Sequence, residues 1–338
     1  MRRALITGAS GFVGSNLARR LTSAGWQVRC LVRPTSRTAS LSTLGAELVA
    51  GSLADVASLQ TAIAGVDIVF HLAGRVAAYR RDEFVRDNVE GTRAVAAAVA
   101  AQPSPPTLLF VSSLAAGGPG TIEHPRHENQ SDRPVSAYGR SKLAAEAAAI
   151  EAAAGAAPVS IVRPPMVFGQ GDRASLALFR SVKYMPFHLV PGLRRFPLSL
   201  VHVADLCAAL ELVAQHGERA TPADADPQSG GGRYYVAADR PVTYGELGRL
   251  AGRACGRLVA PVPAPRPLFW VAGAVGEVVG RVRRRPAILN FDKVRESMAP
   301  GWVCSDDKIR TALGYAPGAP LEDRLAETVN WYRAHGWL

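Results

Sequence analysis

The first half of the chain alternates short apolar runs with longer segments in which apolar residues recur at helical spacing. Apolar runs without in-and-out alternation are typical of strands that are buried on both faces of a parallel sheet. The helical segments between them supply the crossovers that parallel strands need. The pattern therefore predicts an α/β fold with a doubly wound parallel sheet of the Rossmann type. The strands are predicted at 4–7, 26–32, 46–50, 67–72, 107–112 and 159–162, and the helices from the first glycine-rich turn to about 24, at 56–64, at about 82–101 and at 137–154.

The regular alternation stops after Pro165, where proline and aromatic residues become more frequent. Helical and loop patterns dominate from there on, and only short strand-like runs occur. We therefore predict a Rossmann domain over 1–165 and a smaller C-terminal α/β domain over 166–338. Segments near 199–215 and 233–237 are expected to return to the first domain.

Charge and cysteine content narrow the class of protein. The 338 residues include 39 Lys and Arg against 28 Asp and Glu, a formal net charge of +11, and only four of the basic residues are Lys. Arg suits phosphate and carboxylate ligands, but scattered Arg residues without a zinc spacing or a basic helix do not predict nucleic-acid binding. The four cysteines lie far apart without a CxxC pair, which predicts no metal site and favours a reduced, cytoplasmic setting.

The chain offers no pattern for secretion or for membrane insertion. It starts MRRALITG, without the apolar core of a signal peptide, and its most apolar stretch, 268–280, is shorter than the ~20 residues of a spanning helix. We therefore expect no signal peptide and no transmembrane segment. That stretch leads into an Arg-rich run at 281–285, so it is either a core helix with a basic cap or an apolar lid or membrane-surface helix.

Three glycines follow the first predicted strand at GxxGxxG spacing and open the next helix. Glycines allow a tight turn and a close approach to a pyrophosphate, and the helix N-terminus presents free N–H groups to it. In this βαβ context the motif predicts a dinucleotide cofactor. The residues expected to line its diphosphate are Gly8, Ser10, Gly11, Phe12, Val13 and Gly14.

The end of the second predicted strand indicates which dinucleotide is bound. NAD enzymes usually carry an acidic residue here, which binds the ribose 2′-hydroxyl. This chain reads CLVRPTSR at 30–37, without an acid, and an Arg can pair with a 2′-phosphate instead. We therefore assign Arg33 and Arg37 to the cofactor and expect NADP, with NAD as the alternative.

Tyr138 and Lys142 have YxxxK spacing, which places both side chains on one face of a helix. A Lys ammonium one turn from a phenol is expected to lower the pKa of the phenol, so that Tyr138 can exchange a proton with a substrate near neutral pH. Ser113 follows the fifth predicted strand, and ligands bind outside the carboxyl ends of parallel strands. These three residues are the predicted catalytic group, with the Ser113 hydroxyl bound to the reacting oxygen.

Several segments together carry a family resemblance. They are TGASGFVGSNL at 7–17, HLAG at 71–74, NVEGT at 88–92, SSLA at 112–115, YGRSK at 138–142, RPPMVFG at 163–169 and WVCSDDKIRTALGYAP at 302–317. With them the chain resembles the extended short-chain dehydrogenase/reductases, also called the NAD(P)-dependent epimerase/dehydratase family. The resemblance implies a Rossmann domain followed by a substrate domain. It also implies that Ser113 polarises the substrate oxygen, that Tyr138 is the acid/base, and that Lys142 also holds the nicotinamide ribose.

The same resemblance implies further cofactor contacts. His71 to Gly74 would line the adenosine side of the cofactor, and Pro164 to Val167 would run past the nicotinamide. Many relatives carry Asp where this chain has Ser52, and Asn88 is as readily explained as a helix-packing residue. The residues assigned to the cofactor on this basis are Ser52, Leu53, Leu72, Ala73, Gly74, Asn88, Val111, Ser112, Tyr138, Lys142, Pro164, Met166 and Val167.

Two departures from the family pattern bear on the substrate. Sugar-nucleotide epimerases usually carry an Arg where this chain has Leu198, and often an Asn where it has Pro165 and Met166. The chain instead resembles the branch of 3β-hydroxysteroid dehydrogenases and dihydroflavonol reductases. This implies an NAD(P)-dependent oxidoreductase acting on a secondary alcohol or ketone of a largely apolar substrate. The alternatives are a nucleotide-sugar epimerase or dehydratase that retains NAD, and a non-catalytic cofactor sensor.

The segments 88–101 and 142–154 are rich in Ala. Small side chains allow helices to pack closely, and members of the family often pair through these two helices. We therefore expect a homodimer that takes a small-molecule substrate.

Overall fold

A seven-stranded parallel sheet forms the centre of the fold in the computed structural model. The structure describes residues 1–153, 155–192, 195–226, 229–265, 267, 270–271, 273–276 and 291–338. The strands are β1 Arg3–Thr7, β2 Gln27–Val32, β3 Glu47–Ala50, β4 Ile68–His71, β5 Thr107–Val111, β6 Val159–Arg163, β7 Met166–Phe168, β8 Phe187–Pro191, β9 Pro197–Leu198, β10 Leu200–His202, β11 Arg233–Tyr235, β12 Val242–Thr243 and β13 Ala260–Ala264. The helices are α1 Phe12–Ser23, α2 Ala39–Ser42, α3 Val56–Ile63, α4 Arg81–Phe84, α5 Gly91–Ala100, α6 Leu114–Gly117, α7 Ala137–Ala153, α8 Leu176–Tyr184, α9 Val203–His216, α10 Tyr244–Ala254, α11 Phe291–Met298, α12 Asp307–Leu313 and α13 Leu321–Ala334, with a π-helix at Val85–Glu90 and a 3₁₀ helix at Pro222–Ala225.

The order of the strands confirms the predicted Rossmann sheet. It runs β3-β2-β1-β4-β5-β6-β11, and every neighbouring pair is parallel. All six predicted strands are present, with limits within one residue of the predicted ones. The order reverses between β1 and β4, and ligands bind at such a point outside the carboxyl ends of the strands. The loops that follow β1, β4, β5 and β6 therefore form the edge at which a site is expected.

Both faces of the sheet are buried, which explains why its strands read as continuous apolar runs. On one face, α1 and α9 contribute Leu17 and Leu210 to a cluster that includes Ile6. On the other face, α3 and α5 contribute Leu59 and Val95 to a second cluster, which also takes in apolar residues of α7. The helices thus hold the sheet from both sides and leave its carboxyl edge free.

Segments from the second half of the chain return to this sheet. β11 pairs with β6 at the edge, and α9 packs beside α1. β10 instead pairs with β7 in a separate two-stranded sheet. The domain limit at residue 165 stays a prediction, because both halves of the chain contribute strands to the main sheet.

The remainder of the second half surrounds a smaller apolar cluster. α8, α10 and α13 contribute Phe179, Leu247 and Tyr332 to it, and the short sheets β9–β12 and β8–β13 lie in the same half of the chain. Most of the apolar stretch at 268–280, and all of the Arg-rich run at 281–285, lie outside the described residues. Among the helices that the structure does describe, none combines the length and the apolar character needed to cross a bilayer.

The helix predicted over 82–101 is present as one continuous helical run, but it contains a π turn that the pattern did not predict. The segment consists of α4, the π-helix and α5. A π turn holds one more residue than an α turn, and Asn88 within it has its side chain buried. Apolar spacing alone does not reveal such an insertion, because α4 and α5 both keep their apolar residues, Phe84 and Val95 among them, toward the interior.

The Ala-rich helices α5 and α7, expected at a dimer interface, pack against each other within one chain. Ala96 and Ala149 lie in one buried cluster with the sheet. An ion pair of 3.4 Å between Arg93 and Glu151 joins the outer surfaces of the two helices. Packing inside one chain therefore accounts for these small residues, and the homodimer stays a prediction.

Candidate active site

The turn after β1 is shaped for close backbone packing. Gly8 has a φ of +74°, and a Cβ there would lie 2.7 Å from the Ala73 nitrogen, so the loops after β1 and β4 touch. Gly11 is the N-cap of α1 without a side-chain cap, and the first turn that Phe12, Val13 and Gly14 form contains no acidic residue. Free N–H groups and the positive end of the helix dipole therefore lie beside the exposed Ser10. These backbone donors fit the diphosphate of a dinucleotide.

The loops after β2 and β3 lie along the same edge. Arg33 and Arg37 are exposed, and the N–H of Arg33 donates to the Ser36 hydroxyl at 3.1 Å, which fixes the turn. Neither guanidinium forms an ion pair with a residue in the described part of the chain. Ser52 and Leu53 are half-buried. The arrangement leaves two cations available to an anionic ligand at the end of β2.

The side chain of His71, which was expected to line the adenosine side of the cofactor, points into the interior of the protein instead. Its side chain is fully buried, and its ring bonds to the Thr7 hydroxyl at 2.7 Å and to the Thr92 hydroxyl at 3.0 Å. Burial and the nearby Lys142 lower the pKa of His71 to about 3, so the ring is neutral. His71 therefore ties β1 to α5 and does not face the adenosine. Residues 72–74, which follow it, are the ones that lie at the edge.

Ser113 and Tyr138 meet beyond the carboxyl end of β5. Ser113 caps α6, since its Oγ accepts the Ala115 N–H at 3.1 Å, and its hydroxyl lies near enough to the Tyr138 phenol to influence the pKa of that phenol. Burial raises the pKa of Tyr138 to about 12, and the Ser113 hydroxyl lowers it only in part. The expected lowering of this pKa by Lys142 is therefore wrong: burial and Glu296 raise the pKa, Lys142 is not among the groups that change it, and the phenol keeps its proton at neutral pH.

Lys142 is on the same helix as Tyr138, and its side chain reaches from that helix to the sheet. Its Nζ donates to the Val111 carbonyl at 2.7 Å and lies 4.2 Å from the centre of the Phe110 ring. A Cβ on Gly74 would come within 3.9 Å of the same nitrogen. Burial lowers the pKa of Lys142 to about 7, and the Glu146 carboxylate raises it in part. Lys142 thus joins the edge assigned to the cofactor to the helix that carries Tyr138.

Asn88 is bound on all sides to protein groups. Its Oδ1 accepts the Arg75 N–H at 2.6 Å, and its Nδ2 donates to the Arg75 carbonyl at 3.0 Å and to the Ser141 hydroxyl at 2.9 Å. The π turn places this amide between the loop after β4 and helix α7. Asn88 therefore holds two parts of the site together, and its contact with the cofactor stays a prediction.

A buried ionic network, which the sequence analysis missed, lies behind the catalytic group. Glu146 follows Lys142 by one helical turn and accepts bonds from the Ser112 hydroxyl, from Arg163 at 2.9 and 2.6 Å, and from Arg233 at 3.0 Å. Arg163 also makes a bidentate pair with Asp132, both bonds at 2.7 Å. The hydroxyl of Ser112, which was assigned above to the cofactor, donates to Glu146 in this network instead. The i, i+4 spacing of Glu146 from Lys142 was the available signal.

Helix α11 covers the start of α7. Asp292 accepts the Ala137 N–H at 3.1 Å, which satisfies a free donor at the N-terminus of α7. Lys293 lies 6.0 Å from the centre of the Tyr138 ring and pairs with Glu296 at 2.7 Å. Sequence patterns gave no indication that this distant segment approaches Tyr138.

The segment from Pro164 into β7 lies next to Ser113 of the predicted catalytic group. The Pro164 carbonyl accepts the Leu114 N–H at 2.9 Å, next to Ser113. Met166 is exposed and Val167 is half-buried at the start of β7. Leu198, which stands where sugar-nucleotide epimerases usually carry an Arg, is buried in the cluster of the second half. This position therefore offers no charge to a substrate phosphate.

Comparisons with known proteins agree with this geometry. The pattern of the NAD-dependent epimerase/dehydratase family matches residues 4–225. The chain is 31% identical over 335 residues to a ceramide reductase of Caulobacter vibrioides, covering 98% of this chain and 95% of that protein. It is 30% identical over 322 residues to the 4-hydroxy-2-methyl-3-oxo-4-farnesyl-3,4-dihydroquinoline-1-oxide ketoreductase of Stigmatella aurantiaca, covering 93% and 92%. The crystal structure of gox2253 superimposes with a TM-score of 0.75 at 27% identity, covering 100% of both chains. The family resemblance and the fold are thereby confirmed.

Proposed function

The chain belongs to the NAD-dependent epimerase/dehydratase family, and we propose that it moves a hydride between a nicotinamide and a secondary alcohol or ketone of a largely apolar substrate. The observation that carries the proposal is that the hydroxyls of Ser113 and Tyr138 lie near each other beyond the end of β5, close enough for Ser113 to influence the pKa of the phenol. Lys142 stands one helical turn from Tyr138. This is the arrangement that a carbonyl oxygen needs when it gains charge and then a proton.

The chain's own residues manage the oxygen and its proton. A bound nicotinamide supplies or accepts the hydride. Ser113 accepts the Ala115 N–H with its oxygen, which fixes the hydroxyl in place, and its proton is then directed to the substrate oxygen when a substrate is bound. Tyr138, with its pKa raised to about 12, keeps a proton that it can give to that oxygen.

The cofactor proposed is NADP. Support comes from Arg33 and Arg37, which are exposed after β2 in a loop without an acidic residue. A hydrogen bond to a charged group contributes roughly 1.5–3 kcal/mol, which corresponds to an affinity change of about 10- to 150-fold. We expect Arg33→Ala to raise the KM for NADPH by at least about tenfold and to leave the KM for NADH unchanged. Arg19→Ala, an exposed Arg on α1, is the control, and equal losses with both cofactors would contradict the assignment.

An apolar substrate is supported by two observations. Leu198 is buried and uncharged where a diphosphate would need a cation. The curated relatives described above are named as reductases of a ceramide and of a farnesyl-bearing quinoline oxide, and both of these compounds carry long apolar chains. We infer that this chain also acts on a ketone attached to an apolar body.

The test is turnover of NADPH and of NADH against ketones of increasing apolar length. Tyr138→Phe should lower kcat/KM by at least ~100-fold, because the proton donor is lost, while NADPH binding stays near the wild-type value. Ser113→Ala should lower it by a similar factor. Tyr184→Phe, an exposed tyrosine on α8, is the matched control and should keep full activity.

Two results would overturn the proposal. One is interconversion of nucleotide sugars by a protein that purifies with NAD bound, without net use of added cofactor. This would identify a nucleotide-sugar epimerase or dehydratase. The other is unchanged turnover in Tyr138→Phe, which would remove the phenol from the reaction.

We also propose a homodimer through the outer surfaces of α5 and α7. Arg93 and Glu151, which pair across these helices, are exposed enough to take part. Light scattering at micromolar concentration should give twice the chain mass, and a monomer mass would refute the dimer.

A further inference from the structure

The two-stranded sheet β8–β13 presents an apolar face to solvent. Side chains alternate along a strand, and His188 points inward, its ring centre 4.6 Å from that of Tyr244. Phe187 and Leu189 therefore point outward, and the register pairs Leu189 with Val262. All three are exposed, Leu189 with 51% of its surface.

Neighbouring residues extend this surface, which we call the β8–β13 face. Tyr184 and Met185 precede β8, and Leu258 precedes β13; Tyr184 is 68% and Leu258 87% exposed. Single exposed apolar residues are ordinary, but a contiguous group of large ones marks an interaction site. The same property continues along the chain beyond β13, where Trp270 and Val271 are exposed.

The rim of the β8–β13 face carries several cations. Lys183, Arg249, Arg253 and Arg257 flank the two strands, and Glu246, which follows the Gly245 that packs on Pro261, is paired with Arg240 at 2.7 Å. Arg249 and Arg253 line a depression together with Leu258. Lys183, Arg249 and Arg257 form no ion pair with any residue that the structure describes. The rim is therefore complementary to a negatively charged surface.

Prolines make the outer edge of β13 a poor partner for a further protein strand. Pro261 and Pro263 in β13, and Pro191 at the end of β8, lack the N–H that a further strand would bond. Such residues protect a sheet edge from pairing with another chain. An apolar patch with a basic rim and a blocked edge instead fits the boundary between headgroups and acyl chains of a membrane.

We propose that the β8–β13 face docks this protein on the surface of an anionic lipid bilayer. The apolar side chains enter the acyl boundary and the cations meet anionic headgroups. The biological reason for docking rests on the proposed function, because an enzyme that acts on an apolar ketone would take that substrate from the bilayer. Docking itself is measured without any substrate, so the two proposals fail separately.

The experiment is co-sedimentation of the full chain with sucrose-loaded vesicles of phosphatidylcholine alone or with about 30% phosphatidylglycerol. Wild type should bind the anionic vesicles at least tenfold more strongly than the neutral ones. R249E/R257E should lower the binding at least tenfold, because each basic residue near an anionic surface contributes measurably. L189S/L258S should weaken it similarly through lost apolar burial.

Controls separate docking from folding and from catalysis. R19E/R140E makes the same change of net charge away from the face and should bind as wild type does. Turnover of a short, water-soluble ketone should change less than twofold in the face variants. If L189S/L258S fails to fold, R249E/R257E still decides the matter.

Three outcomes would overturn the docking proposal. They are absence of binding to anionic vesicles, equal binding by R249E/R257E and wild type, and a wild-type dimer that L189S/L258S dissociates, which would make the face an interface between copies. Vesicle binding without turnover of any ketone would instead retain docking and refute the proposed function.

Discussion

Replacing Glu146 by Gln tests whether the buried network holds the catalytic helix in place. Glu146 is fully buried, and it is the carboxylate that Arg233 contacts, at 3.0 Å. Arg163 keeps its bidentate bonds to Asp132 after the change, both at 2.7 Å. Arg233 keeps only carbonyl acceptors, those of Ser229 and Asp224. The substitution thus leaves one buried guanidinium without its counter-ion.

The expected loss of stability follows from this one uncompensated guanidinium. Breaking a buried ion pair by removing one partner costs roughly 3–5 kcal/mol, because the other charge stays buried and uncompensated. One kcal/mol lowers the melting temperature by roughly 2–4 °C in chains of about 150–250 residues. We therefore expect Glu146→Gln to melt on the order of 10 °C below wild type in a thermal scan at pH 7.

Glu151→Gln on the same helix is the matched control. Glu151 is half exposed and lies 3.4 Å from Arg93, so its loss should cost at most about 1 kcal/mol. Burial raises the pKa of Glu146, but Arg163 and Arg233 lower it more, to below its ordinary value. Its stabilisation is therefore present above pH ~4.5 and is lost as the pH falls through the lowered pKa. The gap between wild type and Glu146→Gln should accordingly close in acid. Equal melting temperatures for Glu146→Gln and Glu151→Gln would refute the reasoning.

Two further predictions concern the edge of the sheet. Gly8→Ala forces a Cβ to 2.7 Å from the Ala73 nitrogen at a φ of +74°, so it should abolish cofactor binding in a fluorescence titration and lower the melting temperature by several degrees. Gly25→Ala has the same backbone strain at φ +80° but nothing within 4 Å, so it should cost only about 1–2 kcal/mol and keep cofactor binding. Burial lowers the pKa of Lys142 to about 7, so the ammonium loses its proton as the pH rises through that value, and NAD⁺ binding to the free enzyme should weaken above pH 7. NAD⁺ is the probe because the 2′-phosphate of NADP titrates in the same range, and Lys142→Met should bind NAD⁺ weakly with no inflection near pH 7.

Local sequence patterns were sufficient to predict the sheet and the glycine turn. Each strand of the first half is an apolar run buried on both faces, and the GxxGxxG spacing reflects a close approach within the turn, where a Cβ on Gly14 would lie 2.3 Å from the Gly8 carbonyl oxygen. The YxxxK spacing likewise places Tyr138 and Lys142 correctly on one helix. These features depend on neighbours in sequence, so the sequence displays them.

The parts that could not be predicted depend on partners far along the chain. The pKa of Tyr138 is set by burial, with Glu296 of α11 raising it further, and no local spacing shows either effect. The π turn at Asn88 is directed by bonds to Arg75 and Ser141, which only the fold brings together. The expectation for Tyr138 failed because it counted one nearby charge and left out desolvation.

The same long-range bonds change what the division at residue 165 means. Glu146, on the catalytic helix, is bound by Arg233 of β11, and Arg163 bonds the hydroxyl of Tyr235 from the same strand at 3.1 Å. Both partners come from the second half of the chain, although they complete the sheet of the first. The polar core behind Lys142 is therefore satisfied only when β11 is in place. It follows that the substrate half contributes to the catalytic group twice, by covering Tyr138 with α11 and by neutralising the charge that supports its helix.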